Sequence, residues 1–574
     1  MSIIIGLFGV ILNMYGVSIT PSTITIFSIL GFIITYILQK PSIAQYIKNL
    51  FCNYDWADET IKLYQSIPHI YRKSFWISFG LINLAFLFHT INFMWGGYDW
   101  QAVRTTVDSS QSLKDGFFSA YLLQNLLFDG KILPVINNLW SFLGLSLTGI
   151  LLAIYFQITT STLAIVVLTL IFSVTPYTLG WLYFTQNTLG HLWAPALSMI
   201  AILLSNKDAS SVNKKYVYNL IAISLFIISL GTFFPVINFI LITILGRILL
   251  GIGVNGVNFR KALSRQLQNI TNLTAAILIY IFVILLLKDA NISPNIYNIS
   301  FIYVIYSIPA TIKNMFLQFT TTLPFIGIEY KILYLTITLL AVFSLILKTP
   351  TVKSALKSLI MLPIILFASQ LSTLFFVTNY HVVTVAFYSL PILYALMYSI
   401  LIRINSPLLK RITYALAIIA IFSSFVRISY ALKVWKFGFD AETKLVERII
   451  TRMERMPEFN VDNQYKLIQI GSKSLRSKYY LAQANETESK ALLSLPYYIE
   501  GKAKDAYNFF YQADFVSEDA SIDTIKNNKT IRDFIIYKAR PYPAKESIFI
   551  HDDYIIFILD ENALIEAQRR ITEN

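Results

Sequence analysis

Two acids and an arginine, spaced along one polar stretch, are the residues of this chain best suited to chemistry. In GYDWQAVRTTVD, Asp99, Arg104 and Asp108 follow directly on an apolar run, and Lys131 lies near the end of the same segment, Tyr98 to Leu133. A carboxylate one or two positions beyond a membrane span, followed by a helix able to lie in the interface (Phe117 to Phe128), can be presented to a lipid headgroup. Partial burial at that depth raises a carboxyl toward the range of a general base, the role read for Asp99. An Asp in this position also suits the cap of a helix over Trp100 to Asp108, and both readings stand. Asp108 is a second acid or a cap. Arg104 has the planar fork that fits a phosphate, or it pairs with Asp108 at i, i+4.

The elements that position these residues follow from composition. Of 574 residues, 56% are hydrophobic and 14% charged, and mean hydropathy is +0.60. Soluble domains carry roughly a quarter charged residues. Repeated apolar runs long enough for about 30 Å of hydrocarbon predict an all-α polytopic membrane protein. The first apolar run lacks a basic leader and an A-x-A site, so no cleavable signal peptide is expected. Residues 3–18 and 22–39 form two apolar runs split by Thr20-Pro21, an N-terminal membrane hairpin over 1–40. A connection over 41–73 leads to spans near 74–96, 134–157, 162–182, 187–205, 217–234, 235–252, 271–287, 331–347, 357–377, 382–403 and 411–432. These eleven spans make a transmembrane domain over 74–432, with outer loops 97–133 and 288–330.

The net charge of +14 does not point to nucleic acid, because the basic residues recur in short connections between spans. Lys207, Lys214 and Lys215 mark one such connection, Arg260, Lys261 and Arg265 another, Lys348, Lys353 and Lys357 a third, and Arg403, Lys410 and Arg411 a fourth. All fall on one side, which the positive-inside rule assigns to the cytoplasm. The two outer loops and everything after about Lys433 then face outward. Arg247, inside an apolar run but nearer its inner end, is read first as a snorkelling side chain and second as a functional intramembrane charge. Ile299 to Pro309 is too short to cross and is expected to lie in the interface. From Lys433, FDAETKLVERIITRMERM carries apolar residues at helical spacing. It opens a soluble domain over 433–574, α/β or α+β, in which YKLIQIG and SIFIHDDYIIFIL read as strands.

Several chemistries have no support. There is no Walker A loop, no G-x-G-x-x-G after a strand and no metal-binding D-x-D, so direct use of a soluble nucleotide donor is not expected and no cofactor is assigned. His69, His89, His191 and His551 lack metal-ligand spacing, and the single Cys52 excludes a thiolate cluster and an intramolecular disulfide. His381, between two spans, and Arg427, Lys433 and Lys436, near the outer end of the last one, could converge on an anionic headgroup or act as interface anchors beside Trp435.

An ordered series of weak motifs runs from about Phe75 to Gly471: GGYDWQAVR, FFSAYLLQNLLFDGKILPVINNLWSFLGLSL, VTPYTLGWLYFTQNTLGHLWAPALSM, SLGTFFPVINFILITIL, then FDAETKLVERIITRM and YKLIQIG. In this series the chain resembles the bacterial Gtr-type (type II) serotype-converting glucosyltransferases that modify O antigen. It departs from them in having Asp99 alone where adjacent acids are common, Asp129-Gly130-Lys131 in place of a Gly-Arg-Pro-like step, and His381 where arginine is common. The resemblance implies a GT-C-class glycosyltransferase of the bacterial inner membrane. Such an enzyme takes a sugar from a polyprenyl-phosphate carrier and gives it to a lipid-linked polysaccharide acceptor on the periplasmic face, among membrane lipids. Asp99 and Asp108 then have catalytic roles, and Arg104, Lys131, His381 and Arg427 would bind substrate. The alternatives are an O-antigen polymerase and a lipid-linked oligosaccharide flippase. The flippase reading expects charged or broken helices at mid-membrane and paired repeats, and mainly Arg247 answers that description.

Overall fold

The computed structural model describes residues 64–92, 94, 116–131, 133–159, 161–182, 185–207, 212–289, 301–320, 327–349, 351–374, 382–404, 406–471 and 522–573. The N-terminal hairpin, most of the 41–73 connection, Asp99, Arg104, Asp108 and His381 lie outside the described residues.

Among the described residues, eight helices are long and apolar enough to cross a membrane, and the protein is an all-α membrane protein with little strand. They are α1 (His69–Ile91), α3 (Pro134–Tyr155), α6 (Thr185–Ser205), α7 (Val212–Thr232), α8 (Val236–Gly253), α10 (Leu267–Asp289), α12 (Ile328–Lys348) and α15 (Pro407–Glu454). Between them run α2 (Phe118–Phe128), α4 (Thr162–Ser173), α5 (Thr178–Leu182), α9 (Phe259–Ser264), α11 (Phe301–Thr320), α13 (Val352–Ala368) and α14 (Val382–Arg403). Starts are set by ordinary capping: Ser161 accepts from the amide of Ala164, Thr351 from Ser354, and Ser406 from Leu409 with Pro407 next in line.

Hydrogen bonds between sequence-distant helix ends sort the bundle into two layers. At one end Tyr71 Oη donates to the Ile158 carbonyl (3.4 Å), Tyr155 Oη to Gln266 Oε1 (2.6 Å) and Asn272 Nδ2 to Ser205 Oγ (2.9 Å). Here also lie the lysine- and arginine-bearing connections, so this is the basic end. At the opposite end Asn238 Nδ2 donates to Ser372 Oγ (2.9 Å), and Tyr388 Oη to the His191 carbonyl (2.8 Å). The alternation of spans read from hydropathy is thus visible in which termini touch.

Two of the expected spans are broken. The run 162–182 stops at Ser173 because Pro176 cannot donate to the helix ladder; Thr178 Oγ1 instead takes the freed Ser173 carbonyl (2.8 Å) before α5 resumes. The run 357–377 stops at Ala368 and continues as a 3-10 turn, Leu371–Leu374, whose Ser372 amide is held by Asn238 Oδ1 (2.9 Å).

The stretch expected as a short interfacial segment is α11, twenty residues long, and its polarity is inverted. Ser307, Thr311 and Gln318 are buried, while Tyr306 and Phe316 are exposed. Its polar face is tied down: Thr311 Oγ1 to Thr373 Oγ1 (2.8 Å), Gln318 Nε2 to Ser369 Oγ (2.8 Å), and Gln318 Oε1 accepting from Gln370 (2.8 Å) and Ser389 (3.2 Å). Such a helix is unfavourable in water and suits a lipid surround, where apolar residues face out and polar ones find partners inside.

The last span has no break at Lys433. α15 continues through Glu454, and its apolar face changes partners, from the bundle at Leu432 and Trp435 to a small sheet at Leu445, Ile449 and Met453. That sheet has the order β1 (Lys466–Ile470), β3 (Tyr554–Ile558), β2 (Ile548–His551), with β1 parallel and β2 antiparallel to β3. SIFIHDDYIIFIL, expected as strand, is a hairpin turning at Asp552 (φ 51°). Alternation decides the faces: Leu467, Ile555 and Phe557 pack on α15. Ile468, Ile556 and Ile558 pack on α16 (Ile522–Asn527), α17 (Lys529–Tyr537) and α18 (Glu561–Thr572).

Candidate functional site

At the end opposite the basic one, α1 and α2 end and begin around the stretch that carries Asp99. α1 ends at Ile91, Met94 is buried, and the chain is described again from Gly116, with Phe117 buried ahead of α2. α2 rests on α6 and α7 through Ser119, Ala120 and Gln124, leaving Leu126 and Leu127 exposed, as an interfacial helix should. Its close approach requires glycine on the partner: a Cβ at Gly231 would stand 2.5 Å from Phe118 and Ser119.

The step from α2 to α3 is tight. Asp129 (φ 52°) and Gly130 (φ 68°) both adopt the left-handed region, and their amides return to the Asn125 carbonyl (3.0 Å) and the Gln124 carbonyl (3.3 Å). Lys131 follows. Its ammonium is exposed and 3.0 Å from Asp129, and its carbonyl accepts from Gln124 Nε2 (2.8 Å). Arg427 lies elsewhere, on α15, where it ion-pairs with Glu329 of α12. Of the six residues singled out by sequence, these two are described, and they sit on different helix pairs. Lys436 pairs with Asp440, and Lys433 lies over Phe437 (5.7 Å). Among the described residues these cations have local partners, Glu329, Asp440 and the Phe437 ring.

The same end holds a polar layer that sequence reasoning missed. On α3, Asn137 and Ser141 are fully buried, and neither side chain has a hydrogen-bond partner among the described residues; both nitrogens of the His191 ring on α6 and Oε1 of Gln124 on α2 are in the same state. Asn137 and Ser141 share a face with Gly144, where a Cβ would stand 3.0 Å from the Leu192 carbonyl and from the Trp193 ring, so that face is turned to α6. Around His191 stand Trp181 (4.5 Å between ring centroids), Phe233 (5.0 Å) and Phe117 (6.2 Å), with Tyr388 4.7 Å from Trp181. Beside this group, Asn138 Nδ2 donates to His89 Nδ1 (3.1 Å), and Trp435 of α15 lies 5.3 Å from the His89 ring. The signal was present in the sequence: GHLWAPALSM puts a histidine inside an apolar run, and VINNLW opens a span with two amides.

A buried polar group without a partner costs about 1–3 kcal/mol, and native proteins keep few of them. Several within one layer, framed by aromatic rings, are what a binding region for a molecule with an apolar body and hydroxyl groups requires. No group of three or more potential metal ligands occurs among the described residues.

No protein-family model matches the chain, and no curated protein or solved structure matches it.

Proposed function

We propose that this protein is a membrane glycosyltransferase that moves a sugar, glucosyl by the resemblance above, from a polyprenyl-phosphate carrier to O antigen or a related surface polysaccharide. The reaction takes place at the periplasmic face of the bacterial inner membrane. The observation that carries the reading is the layer of buried polar atoms without a hydrogen-bond partner among the described residues, on Asn137, Ser141, His191 and Oε1 of Gln124, at the end where the chain leaves α1 for the Asp99 stretch. That end is opposite the basic one, which the positive-inside rule assigns to the cytoplasm.

The chemistry is a single displacement. The acceptor hydroxyl oxygen attacks the anomeric carbon as the bond from that carbon to the phosphate oxygen breaks. Asp99 takes the hydroxyl proton, and the polyprenyl phosphate departs with the bonding pair. Charge builds on the leaving oxygen, where Arg104 and Lys131 would offset it. The apolar α2 face and the aromatic frame of His191 are fit to hold the prenyl chain and the sugar ring against water.

The test is mass analysis of surface polysaccharide from cells with and without this chain. Loss of one side-chain sugar with unchanged chain length supports the transferase. Shortened chains with intact repeat units would replace it with a polymerase or a flippase.

A further inference from the structure

The basic end holds a cationic site that the transfer reaction does not use. Arg247 of α8 lies one and a half turns before the helix end, in a span whose other residues are uncharged. A snorkelling arginine would carry its whole head out to water. Instead Nη1 is buried without a hydrogen-bond partner among the described residues, and the guanidinium lies over the Tyr155 ring of α3, 5.9 Å from its centroid. Arg403, at the end of α14, reaches the same place: its Nη1 donates to the Phe156 carbonyl (2.9 Å) and its Nη2 to Asn255 Oδ1 (2.7 Å). Arg265, exposed at the junction of α9 and α10, stands at the mouth: it directly precedes Gln266, which accepts from the hydroxyl of the Tyr155 ring that Arg247 covers (2.6 Å).

One neutral acceptor here is engaged, and another, Asn269 Oδ1, is buried without a hydrogen-bond partner among the described residues. Gln266 Oε1 accepts from Tyr155 Oη (2.6 Å) and from Asn269 Nδ2 (2.8 Å). None of α3, α8, α9 and α14 contains an aspartate or glutamate, and α10 carries one only at its opposite end, Asp289. Guanidinium groups brought together at a membrane surface, with no carboxylate beside them among the described residues, repel one another, and removing them from water is costly unless an anion joins them. Basic recesses between helices on the cytoplasmic side are suited to phosphate-bearing headgroups, and a guanidinium fork matches phosphate oxygens in pairs.

We propose that Arg247, Arg403 and Arg265 form a phosphate-binding site at the basic end of the bundle, built to hold a phosphate group between α3, α8 and α14. Bound there, the phosphate draws together three helices whose other ends frame the His191 layer.

The test is native mass spectrometry of the full-length protein in detergent, titrated with phosphatidylglycerol or phosphatidylcholine, with inorganic phosphate as competitor. The wild type binds phosphatidylglycerol in preference to phosphatidylcholine. Arg247→Gln weakens that binding about 10- to 100-fold, the effect of one charged hydrogen bond, whereas Lys214→Gln and Lys215→Gln on a neighbouring connection do not. Displacement of the lipid by inorganic phosphate identifies a soluble phosphate as the natural source; resistance to it identifies a lipid headgroup. Wild-type phosphatidylglycerol affinity in a monodisperse Arg247→Gln protein overturns the site. If that variant does not fold, Arg265→Gln at the exposed mouth is read in its place, with the same two outcomes.

Discussion

Arg427 of α15 closes an ion pair with Glu329 in the first turn of α12. The pair joins the helix that leads into the soluble domain to the helix that follows the second outer segment, and it occupies the guanidinium expected to meet substrate. Both side chains are about a third or more exposed, so the pair is worth about 0.2–1 kcal/mol on its own. If it is structural, Glu329→Gln and Arg427→Gln lower thermal stability alike and the double variant is no worse than either. A transfer rate that falls with Arg427→Gln but not with Glu329→Gln would instead assign Arg427 to the donor.

Docking of α2 depends on Gly231. A Cβ there meets Phe118 and Ser119 at 2.5 Å, whereas one at Gly80 of α1 meets nothing within 4 Å. Gly231→Ala should destabilise by about 1–3 kcal/mol through overpacking. Gly80→Ala should be neutral or stabilising by up to about 1 kcal/mol through helix propensity. Apparent melting temperatures in one detergent compare them, and equal shifts would remove the close approach from the account.

His191 separates packing from function. If its ring only fills the space between Trp181, Phe233 and Phe117, His191→Phe removes two orphaned nitrogens and raises stability by about 1–3 kcal/mol with transfer unchanged. The proposed site predicts that stability holds or rises while transfer falls. Parallel melting and activity measurements distinguish the two.

The polar knot under α11 gives a stability prediction independent of chemistry. Gln318→Leu leaves Gln370 Nε2 and Ser369 Oγ without their acceptor and donor, at a cost of about 1–3 kcal/mol or more. Phe316→Leu, on the exposed face of the same helix, should stay within about 0.5 kcal/mol. Comparable losses from both would mean that the exposed face is covered.

The long apolar helices were legible because hydrocarbon demands them, and eight of the eleven expected spans are, among the described residues, helices long and apolar enough to cross. What hydropathy could not give was the ends of elements. Pro176 and the Asn238–Ser372 bridge stop helices inside apolar runs, and α15 runs on past Lys433 because helical periodicity persists when composition changes. α11 was missed because a window average scores its buried Gln318 and Thr311 as polarity and not as an inward face. Of the site, Lys131 and Arg427 were legible as cations, but the partner of Arg427 was not, since Glu329 lies 98 residues away and meets it only in three dimensions. The Asn137, Ser141 and His191 layer escaped because each residue alone looks like a satisfied core polar group.

In the proposed reaction Asp99 removes the acceptor proton during transfer from a prenyl-linked sugar. Purified protein reconstituted in liposomes, supplied with a polyprenyl-phosphate sugar and the lipid-linked acceptor, measures this directly. General-base assistance is worth about 10²- to 10⁴-fold, so Asp99→Asn should lower the transfer rate by that range with melting temperature unchanged. Transfer at the wild-type rate by a folded Asp99→Asn protein would contradict it.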